Sequence, residues 1–407
     1  MNRLVLIGNG FDLAHGLKTS YKDFIYWYWK NKIIGSIHSS GKTIDDGLCA
    51  ITVLKEDKGS VVWLYYSEFF KERTGEELYT FLSHAKDEFR IDFTPFFENI
   101  HKSIETKGWV DIENEYYKLL EQHTLGEYSE EKVAQLNEQL GSLQIRLTKY
   151  LMEINNQDIV KNKRIQDKIY SPIAQQDISV EATPIIDEYL NDCEAKDNQY
   201  WEKLLNDYDI VDTQQYSFIH QIELHEKDPQ TFPDIPTPYR LPERIMLLNF
   251  NYTKTVDTYL KSADIFTQIH IHGSLHNPYG MIFGYGDEFD DKYKKIQDLN
   301  NNECLANMKT IKYLESDNYR KVLQFIDSAP FQVCIMGHSC GNSDRTLLNT
   351  IFEHKNCISI KPYYYMKDDG TDSYIETIQN ISRNFKDMKL MRDRVVNKLY
   401  CEKLTGE

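Results

Sequence analysis

The chain has 407 residues, of which 41% are hydrophobic and 27% charged, a composition typical of a folded protein with one to three domains. Its formal net charge of −16 argues against a nucleic-acid ligand, and no apolar run is long enough for a signal peptide or a membrane span. Seven scattered cysteines without a Cys-x-x-Cys pair indicate reduced thiols, so we expect a cytoplasmic protein.

The first predicted element is an apolar strand, Leu4-Val5-Leu6-Ile7, which leads into Gly8-Asn9-Gly10-Phe11-Asp12 and a helix from Ala14 to Trp29. A strand, a Gly-x-Gly turn and a helix bring backbone N–H groups together, which suits the phosphates of a nucleotide. The dinucleotide fingerprint has a third glycine three residues after the second, where this chain has Leu13. By itself, the motif predicts a tight structural turn as readily as a binding site.

Residues 31–230 are rich in charged residues and helix formers. Ser129 is a predicted N-cap, with Glu130 and Glu131 in the first turn of a long helix. One face of that helix carries an unbroken apolar stripe, formed by Val133, Leu136, Leu140, Leu143, Leu147, Tyr150 and Ile154. Further helices are predicted over 67–90, 113–123 and 184–207. We therefore expect an all-helical block.

After a proline-rich stretch from Pro229 to Pro242, short apolar runs alternate with helical segments. Strands are predicted at 244–248, 266–272, 281–283, 331–336 and 357–360, with helices at 254–262, 309–327 and 343–354. This alternation predicts an α/β fold with a Rossmann-like, mostly parallel sheet and helices on both faces. The opening strand should join that sheet, because a lone strand cannot bury both its faces. We therefore expect a nucleotide-binding domain of residues 1–30 and 240–407, with an all-helical insertion domain at 31–239.

Three further strands end in polar residues that are capable of chemistry: Asn249 to Thr253, His270 to Ser274, and Gly337 to Asp344. Each turn alone has a structural explanation, since asparagine and threonine before a helix are ordinary caps. In an open parallel sheet, however, ligands bind beyond the carboxyl ends of the strands, and these ends converge on one edge. Together with the Gly8 turn, four such ends favour a functional site.

His270 and His272 are two residues apart on a predicted strand, so both should project to one face, with His276 soon after. Such a group could hold a metal with oxygen ligands from the acidic stretch 287–291, which makes a metal-dependent hydrolase one alternative. The favoured interpretation is a single histidine, His272, that acts as a base at the strand end.

Gly337-His338-Ser339-Cys340-Gly341 has the Gly-x-Ser-x-Gly pattern of a hydrolase nucleophile elbow, and it lies between a predicted strand and a predicted helix. The acid and the histidine of such an enzyme should follow the serine in that order. Only His354 follows, on the next predicted helix, where it is poorly placed. A serine hydrolase is therefore a minor alternative.

The segment Gly8-Asn9-Gly10-Phe11-Asp12-Leu13-Ala14-His15-Gly16-Leu17-Lys18-Thr19-Ser20-Tyr21, with the three later strand ends, resembles the bacteriophage abortive infection AbiH family. The whole chain fits the layout of that family, including the helical insertion and Trp109-Val110-Asp111-Ile112-Glu113 within it. The four motifs in this order are also similar to those of sirtuin-like NAD-binding proteins. The matching residues are Gly8, Gly10, Gly16 and Leu17 in the first turn, then Asn251, His272, Gly337 and Ser339.

The resemblance implies antiviral defence by hydrolysis of NAD to nicotinamide and ADP-ribose, with NAD as the substrate and no metal. Asn251 would orient the ribose hydroxyls and a water, and His272 would act as the base. Backbone N–H groups of the Gly8-Asn9-Gly10 turn would cradle the diphosphate, while Gly337 and Ser339 would hold the adenosine ribose. The same binding surface would include Phe11, Asp12, Gly273, His338 and Asp344.

Several alternatives stay open. Asp12 adds a negative charge beside the expected diphosphate, so it either holds a ribose hydroxyl or excludes NAD. Asn249 and Asn251 compete for the catalytic role, and Tyr252 after Asn251 favours the latter.

Deacetylating sirtuins carry paired Cys-x-x-Cys motifs, and the absence of such motifs from this sequence disfavours deacetylation. A nucleotide sensor without catalysis is a further alternative. A phage-derived trigger that acts through the helical domain and a homo-oligomer are the remaining expected partners.

Overall fold

The computed structural model describes residues 1–406 except 38–42, 55–69, 85–88, 108–109, 197, 209–234, 236 and 262–264. Some of the sequence features discussed above lie outside the described residues. They are Trp109, a part of the helix predicted at 67–90 (residues 67–69 and 85–88), and the prolines Pro229, Pro233 and Pro236. The chain forms two compact units. The first contains Met1–Leu17, Gln157–Ile282 and Tyr313–Glu407, and the second contains Lys18–Asn156 and Phe283–Lys312. The domain limits expected from the sequence, at 30 and 240, stay a prediction.

The first unit is built on a five-stranded sheet in which every pairing is parallel. With strands numbered along the whole chain, it contains β1 (Asn2–Ile7), β5 (Arg244–Asn249), β6 (Phe266–His270), β7 (Phe331–Met336) and β8 (Cys357–Tyr363). The spatial order is β6-β5-β1-β7-β8. After β1, the chain adds β5 and β6 on one side of β1, and then crosses to add β7 and β8 on the other side. The switch point of the sheet, where ligands bind in open α/β sheets, therefore lies between β1 and β7.

The carboxyl ends of the central strands are in register. Ile7 pairs with Asn249 on one side and with Met336 on the other, and Asn249 pairs in turn with His270. The turns after β1, β5, β6 and β7 therefore begin at one edge of the sheet.

Alternate residues of the strands enter two hydrophobic cores on opposite faces of the sheet, as the period of two requires. Val5 and Ile7 pack in one core with helices α7 (Lys163–Tyr170), α8 (Thr183–Glu194), α9 (Asn198–Asp207) and α10 (Thr237–Arg240). Leu4 and Leu6 pack in the other with α13 (Asn318–Ser328), α14 (Arg345–Phe352), α15 (Tyr374–Arg383) and α16 (Met388–Arg394). Helices therefore cover both faces, and the segment from 163 to 207 supplies most of one layer.

The second unit contains helices α2 (Tyr21–Ile37), α3 (Gly75–His84), α4 (Pro95–Lys107), α5 (Ile112–Leu125), α6 (Glu130–Ile154), α11 (Asp291–Gln297) and α12 (Lys309–Lys312). The helix predicted from the apolar stripe is confirmed as α6: all seven stripe residues are buried, and the Ser129 side chain accepts from the N–H of Lys132. The expectation of an all-helical block is wrong, because β2 (Thr43–Asp45), β3 (Cys49–Val53) and β4 (Phe89–Phe93) form an antiparallel sheet. These strands are too short to show a period of two in the sequence.

Several other elements differ from the sequence-based expectation. The helix predicted from Ala14 to Trp29 is two helices, α1 (Asn9–Ala14) and α2, because Gly16 between them has a φ of +80°. Residues 281–283 form no strand, and the helix predicted at 254–262 is a 3-10 turn, Thr255–Tyr259. The helix predicted at 309–327 is interrupted by the 3-10 turn Tyr313–Glu315. No helix among the described residues is both long and apolar enough to cross a membrane.

Candidate functional site

Two glycine-containing turns touch at the switch point. A Cβ at Gly8 would lie 2.4 Å from Cα of His338, and a Cβ at Gly10 would lie 2.8 Å from Cα of Gly337. Gly337 has a φ of +74°, and its own Cβ would lie 2.1 Å from the nitrogen of Phe11. Real Cβ atoms do not approach other atoms this closely, so the packing of the two turns requires glycine at all three positions.

The N–H groups of the first turn are engaged within the fold. Gly8 donates to the carbonyl of Met336 at 3.2 Å, and Gly10 donates to the carbonyl of Gly337 at 2.8 Å. A phosphate could therefore accept from Gly8 and Gly10 only in a conformation that releases these two carbonyls. Asn9 is exposed and Gly10 is half-buried, so these residues form the solvent-facing part of the turn.

Asp12 faces the interior of the first unit. It is 2% exposed, and the Thr253 hydroxyl donates to its Oδ2 at 2.6 Å. Its Oδ1 is buried without a hydrogen-bond partner among the described residues. Burial raises the pKa of this carboxyl above its ordinary value, against the smaller lowering effect of the Thr253 hydrogen bond. Asp12 thus ties α1 to the turn after β5.

The two asparagines after β5 have different surroundings. Asn249 is 1% exposed; its Oδ1 accepts from the N–H of Asn251 at 2.9 Å, and its Nδ2 donates to the carbonyl of Thr253 at 3.3 Å. This side chain therefore shapes the turn. Asn251 is half-buried, and its Nδ2 donates to the carbonyl of Gly8 at 2.9 Å. Asn251 is thus the asparagine at the sheet edge, beside the switch point.

His270 and His272 do not share a face. Strand β6 ends at His270, so the alternation of side chains does not extend to residue 272. Nε2 of His270 lies 2.6 Å from Nε2 of Gln268, and its Nδ1 lies 3.1 Å from the carbonyl of Asn251, whereas His272 contacts other residues. His276 is exposed. No group of three or more His, Cys, Asp or Glu side chains in the described part of the chain is placed to hold a metal ion.

His272 and His338 share one carboxylate. Oδ1 of Asp344 lies 3.1 Å from Nε2 of His272, and Oδ2 lies 3.7 Å from Nε2 of His338. All three residues are less than 10% exposed. The ring of Phe250, from the turn after β5, lies edge-on to His272 and 4.1 Å from the ring centre of His338. The ends of β5, β6 and β7 thus meet in one cluster, which we call the His-Asp-His cluster (His272, Asp344 and His338).

The contacts of the cluster indicate where the histidine protons lie. Nδ1 of His338 accepts from the N–H of Cys340 at 3.0 Å, so the proton of the neutral His338 ring lies on Nε2, toward Asp344. The negative charge of Asp344 likewise favours a proton on Nε2 of His272. In the neutral His272 ring, the basic lone pair is then on Nδ1. A carboxylate that holds an imidazole in this way is the arrangement that supports a histidine base.

The turn after β7 does not form a nucleophile elbow. In that motif the serine itself occupies the strained position. Here the left-handed residues are Gly337 and Cys340, with φ of +74° and +54°, and the carbonyl of Cys340 accepts from Nδ2 of Asn384 at 2.9 Å. Ser339 is exposed, and its carbonyl accepts from Nδ2 of Asn380 at 2.8 Å.

Tyr313 is a site residue that the sequence analysis missed. Its hydroxyl lies 3.2 Å from Nε2 of His272, and the two rings are parallel within 5° at a centroid separation of 6.2 Å. Because the sequence analysis placed Tyr313 inside a continuous helix of 309–327, nothing in the pattern marked it. The 3-10 turn that interrupts this helix brings Tyr313 to the cluster.

A family model described as Bacteriophage abortive infection AbiH matches residues 4–365. That range contains all four strand ends at the edge of the sheet, together with the second unit. Searches of curated proteins and of solved structures gave no match. The match to the family model covers most of the chain, and the chain therefore belongs to the bacteriophage abortive infection AbiH family.

Proposed function

We propose that this protein is a phage-defence effector that hydrolyses NAD to nicotinamide and ADP-ribose at the carboxyl edge of its parallel sheet. The family supports the role in defence against phage. The strand order supports the substrate class, because a sheet whose order reverses beside a Gly-x-Gly turn is typical of Rossmann-like dinucleotide-binding folds. The similarity of the four strand ends to those of sirtuin-like proteins supports cleavage at the nicotinamide ribose.

The observation that carries the proposal is the contact between His272 and Asp344. A histidine whose Nε2 faces a carboxylate is held in one orientation and has its basic lone pair on Nδ1. Asn251 lies at the same edge, where its amide is bound to the Gly8 carbonyl. These two residues have the functional groups that hydrolysis of an N-glycosidic bond needs, a base and an amide that can orient hydroxyls.

In the proposed reaction, the bond between ribose C1′ and the pyridinium nitrogen breaks, and the electron pair leaves with neutral nicotinamide. A water oxygen forms the new bond to C1′, and Nδ1 of His272 accepts the proton of that water. Asn251 orients the ribose hydroxyls and the water. This reaction proceeds through an oxocarbenium-like state, so positioning contributes more than nucleophile strength.

We propose that Asn9 contacts the diphosphate and Ser339 the adenosine ribose; their exposure on the two turns that meet at the switch point supports this assignment. Gly8, Gly10 and Gly337 then serve by permitting the two turns to pack closely. Phe11, Asp12, Gly273, His338 and Asp344 support the site from within. We further propose that a phage-derived trigger acts through the helical domain and that the protein forms a homo-oligomer.

The test is release of nicotinamide from NAD by the purified full chain, alone and after co-expression with phage proteins. Asn251→Ala and His272→Ala should each abolish release, while His276→Ala, which changes an exposed histidine of the same loop, should leave it intact. Unchanged release in the first two variants would refute the mechanism. Binding of NAD without release under any condition would instead favour the nucleotide sensor.

A further inference from the structure

Tyr313 and Asp344 both place an oxygen near Nε2 of His272. The Tyr313 hydroxyl lies 3.2 Å from that nitrogen, and Oδ1 of Asp344 lies 3.1 Å from it. Because a carboxylate can only accept, its presence favours a proton on Nε2, and the hydrogen bond to Tyr313 is then donated by the ring. The tyrosine hydroxyl therefore acts as a second acceptor for the same N–H group.

Tyr313 is itself held between the catalytic edge and the helical layer behind it. It is 4% exposed, and its ring stacks on Tyr319 with centroids 5.4 Å apart and an interplanar angle of 22°. Tyr319 lies on α13, and its hydroxyl lies 3.5 Å from the hydroxyl of Thr350 on α14. Helix α14 begins directly after Asp344. The contact that holds Tyr313 from behind is thus with the ring of Tyr319, which Tyr319→Phe keeps, and not with the Tyr319 hydroxyl.

The same short segment also fixes the backbone at His272. Nδ2 of Asn318 donates to the carbonyl of His270 at 2.9 Å. On the other side, the N–H of Ile282 donates to the carbonyl of His272 at 2.8 Å. Ile282 and Tyr313 are the last and first residues of the first unit around the excursion of the chain through 283–312. These two residues of the first unit, which flank residues 283–312 in sequence, therefore both contact His272.

We propose that Tyr313 is a positioning residue that fixes the plane and the Nε2 proton of His272. This inference rests on the proposed function, in which His272 is the base. Tyr313 acts through His272 and does not contact the substrate. Among the described residues, the charged and titratable groups around Nε2 include Asp344, Tyr313 and, through Asp344, His338.

The kinetic test compares Tyr313→Phe, which keeps the stacked ring, with Tyr313→Leu, which removes both the ring and the hydroxyl. Loss of orientation should lower kcat for nicotinamide release about 10- to 100-fold in Tyr313→Leu. Loss of one hydrogen bond should lower it about 2- to 10-fold in Tyr313→Phe. KM should stay unchanged in both. Tyr319→Phe is the matched control and should leave kcat unchanged.

A second measurement does not depend on activity. The imidazole of His272 is titrated by NMR, with His272→Gln used to assign its signal. An acceptor on Nε2–H stabilises the charged ring more than the neutral one, so Tyr313→Phe should move the titration midpoint to lower pH. Tyr319→Phe should not move it.

The two measurements separate failure of this inference from failure of the proposed function. If the wild-type chain releases no nicotinamide, yet Tyr313→Phe shifts the midpoint, the proposed function fails and the positioning role stands. If Tyr313→Phe and Tyr319→Phe give the same midpoint as wild type, the positioning role is overturned. An equal change of kcat and KM in Tyr313→Leu would also overturn it.

Discussion

One oxygen of Asp344 lies 3.1 Å from Nε2 of His272, so the carboxylate favours the proton on the ring nitrogen that faces the protein. In Asp344→Asn, the amide nitrogen can donate to Nε2 and thereby favour the other tautomer, which has no basic lone pair on Nδ1. We expect kcat for nicotinamide release to fall roughly 10²- to 10⁴-fold, as in the change of an orienting aspartate to asparagine in a catalytic triad.

The matched control for this prediction is Asp368→Asn, because Asp368 is exposed. It should leave both kcat and the unfolding temperature unchanged. An active Asp344→Asn variant, with release equal to that of the control, would show that His272 does not depend on this carboxylate.

Asp12→Asn should stabilise the protein at neutral pH. Burial raises the folded-state pKa of Asp12 above the ordinary value of 3.8, so the folded state holds this proton more tightly than the unfolded state. Its contribution to stability is therefore lost as pH rises from 3.8 through the raised folded pKa, at up to about 1.4 kcal/mol per pH unit. Asparagine keeps an oxygen acceptor for the Thr253 hydroxyl without the buried charge.

We expect the unfolding temperature of Asp12→Asn at pH 7 to rise by about 2–4 °C, the effect of about 1 kcal/mol in a domain of 150–250 residues. Calorimetry at pH 4 and pH 7 measures it, with a smaller difference expected at pH 4. A lower unfolding temperature at pH 7 would mean that the charged carboxylate itself stabilises this turn.

Gly337→Ala should destabilise the first unit more than Gly16→Ala. Both residues have positive φ, +74° and +80°, so alanine costs about 1–2 kcal/mol at either position from backbone strain. Nothing lies within 4 Å of a Cβ at Gly16, whereas a Cβ at Gly337 would lie 2.1 Å from the Phe11 nitrogen. Urea unfolding measures the free energy of unfolding of both variants, and the difference between them is the cost of the steric clash at Gly337 beyond backbone strain. An equal loss of free energy in the two variants would contradict the close packing of the two turns.

His101 in the second unit should make stability fall at acid pH. Burial lowers its pKa from 6.5 to about 3, and the ring accepts from Nε1 of Trp29 at 3.1 Å. As pH falls below 6.5, the unfolded state takes up a proton that the folded state does not. Stability is then lost at about 1.4 kcal/mol per pH unit until pH reaches about 3.

In His101→Phe, the pH-dependent loss of stability is absent because phenylalanine does not take up a proton. The Trp29 N–H loses its acceptor in this variant, and this lowers the free energy of unfolding by the same amount at every pH. The free energy of unfolding of the variant relative to wild type should therefore improve by about 2 kcal/mol between pH 6.5 and pH 5. Urea unfolding at both values measures the difference. A pH-independent difference would mean that the pKa of His101 is the same in the folded and unfolded states.

The sequence predicted elements whose periodicity is long and regular. The stripe from Val133 to Ile154 specifies α6, and the apolar runs at residues 4–7, 244–248 and 331–336 specify central strands. It did not predict the antiparallel sheet of the second unit, since strands of three to five residues carry too few alternations. Nor could it predict that 163–207 packs on the parallel sheet, because an amphipathic helix does not specify what covers its apolar face.

For the site, the sequence indicated which polar residues follow the strands, but it did not indicate which of their side chains contact each other. It grouped His270 with His272 by spacing, and the end of β6 at His270 separates them. It treated Asp12 as part of a ligand surface, although its partner Thr253 is 241 residues away in sequence. Contacts over such separations depend on the register of the sheet, which spacing within one motif does not contain.

The central position of β1 has a consequence for biosynthesis. This strand is made well before its neighbours in the sheet, β5 and β7, which begin at Arg244 and Phe331. At about 5–20 residues per second, the ribosome makes β5 on the order of ten to fifty seconds after β1. Until then, a fully buried apolar strand has unpaired edges on both sides. Nascent chains of this protein are therefore expected to depend on protection of β1 until β5 and β7 are synthesised.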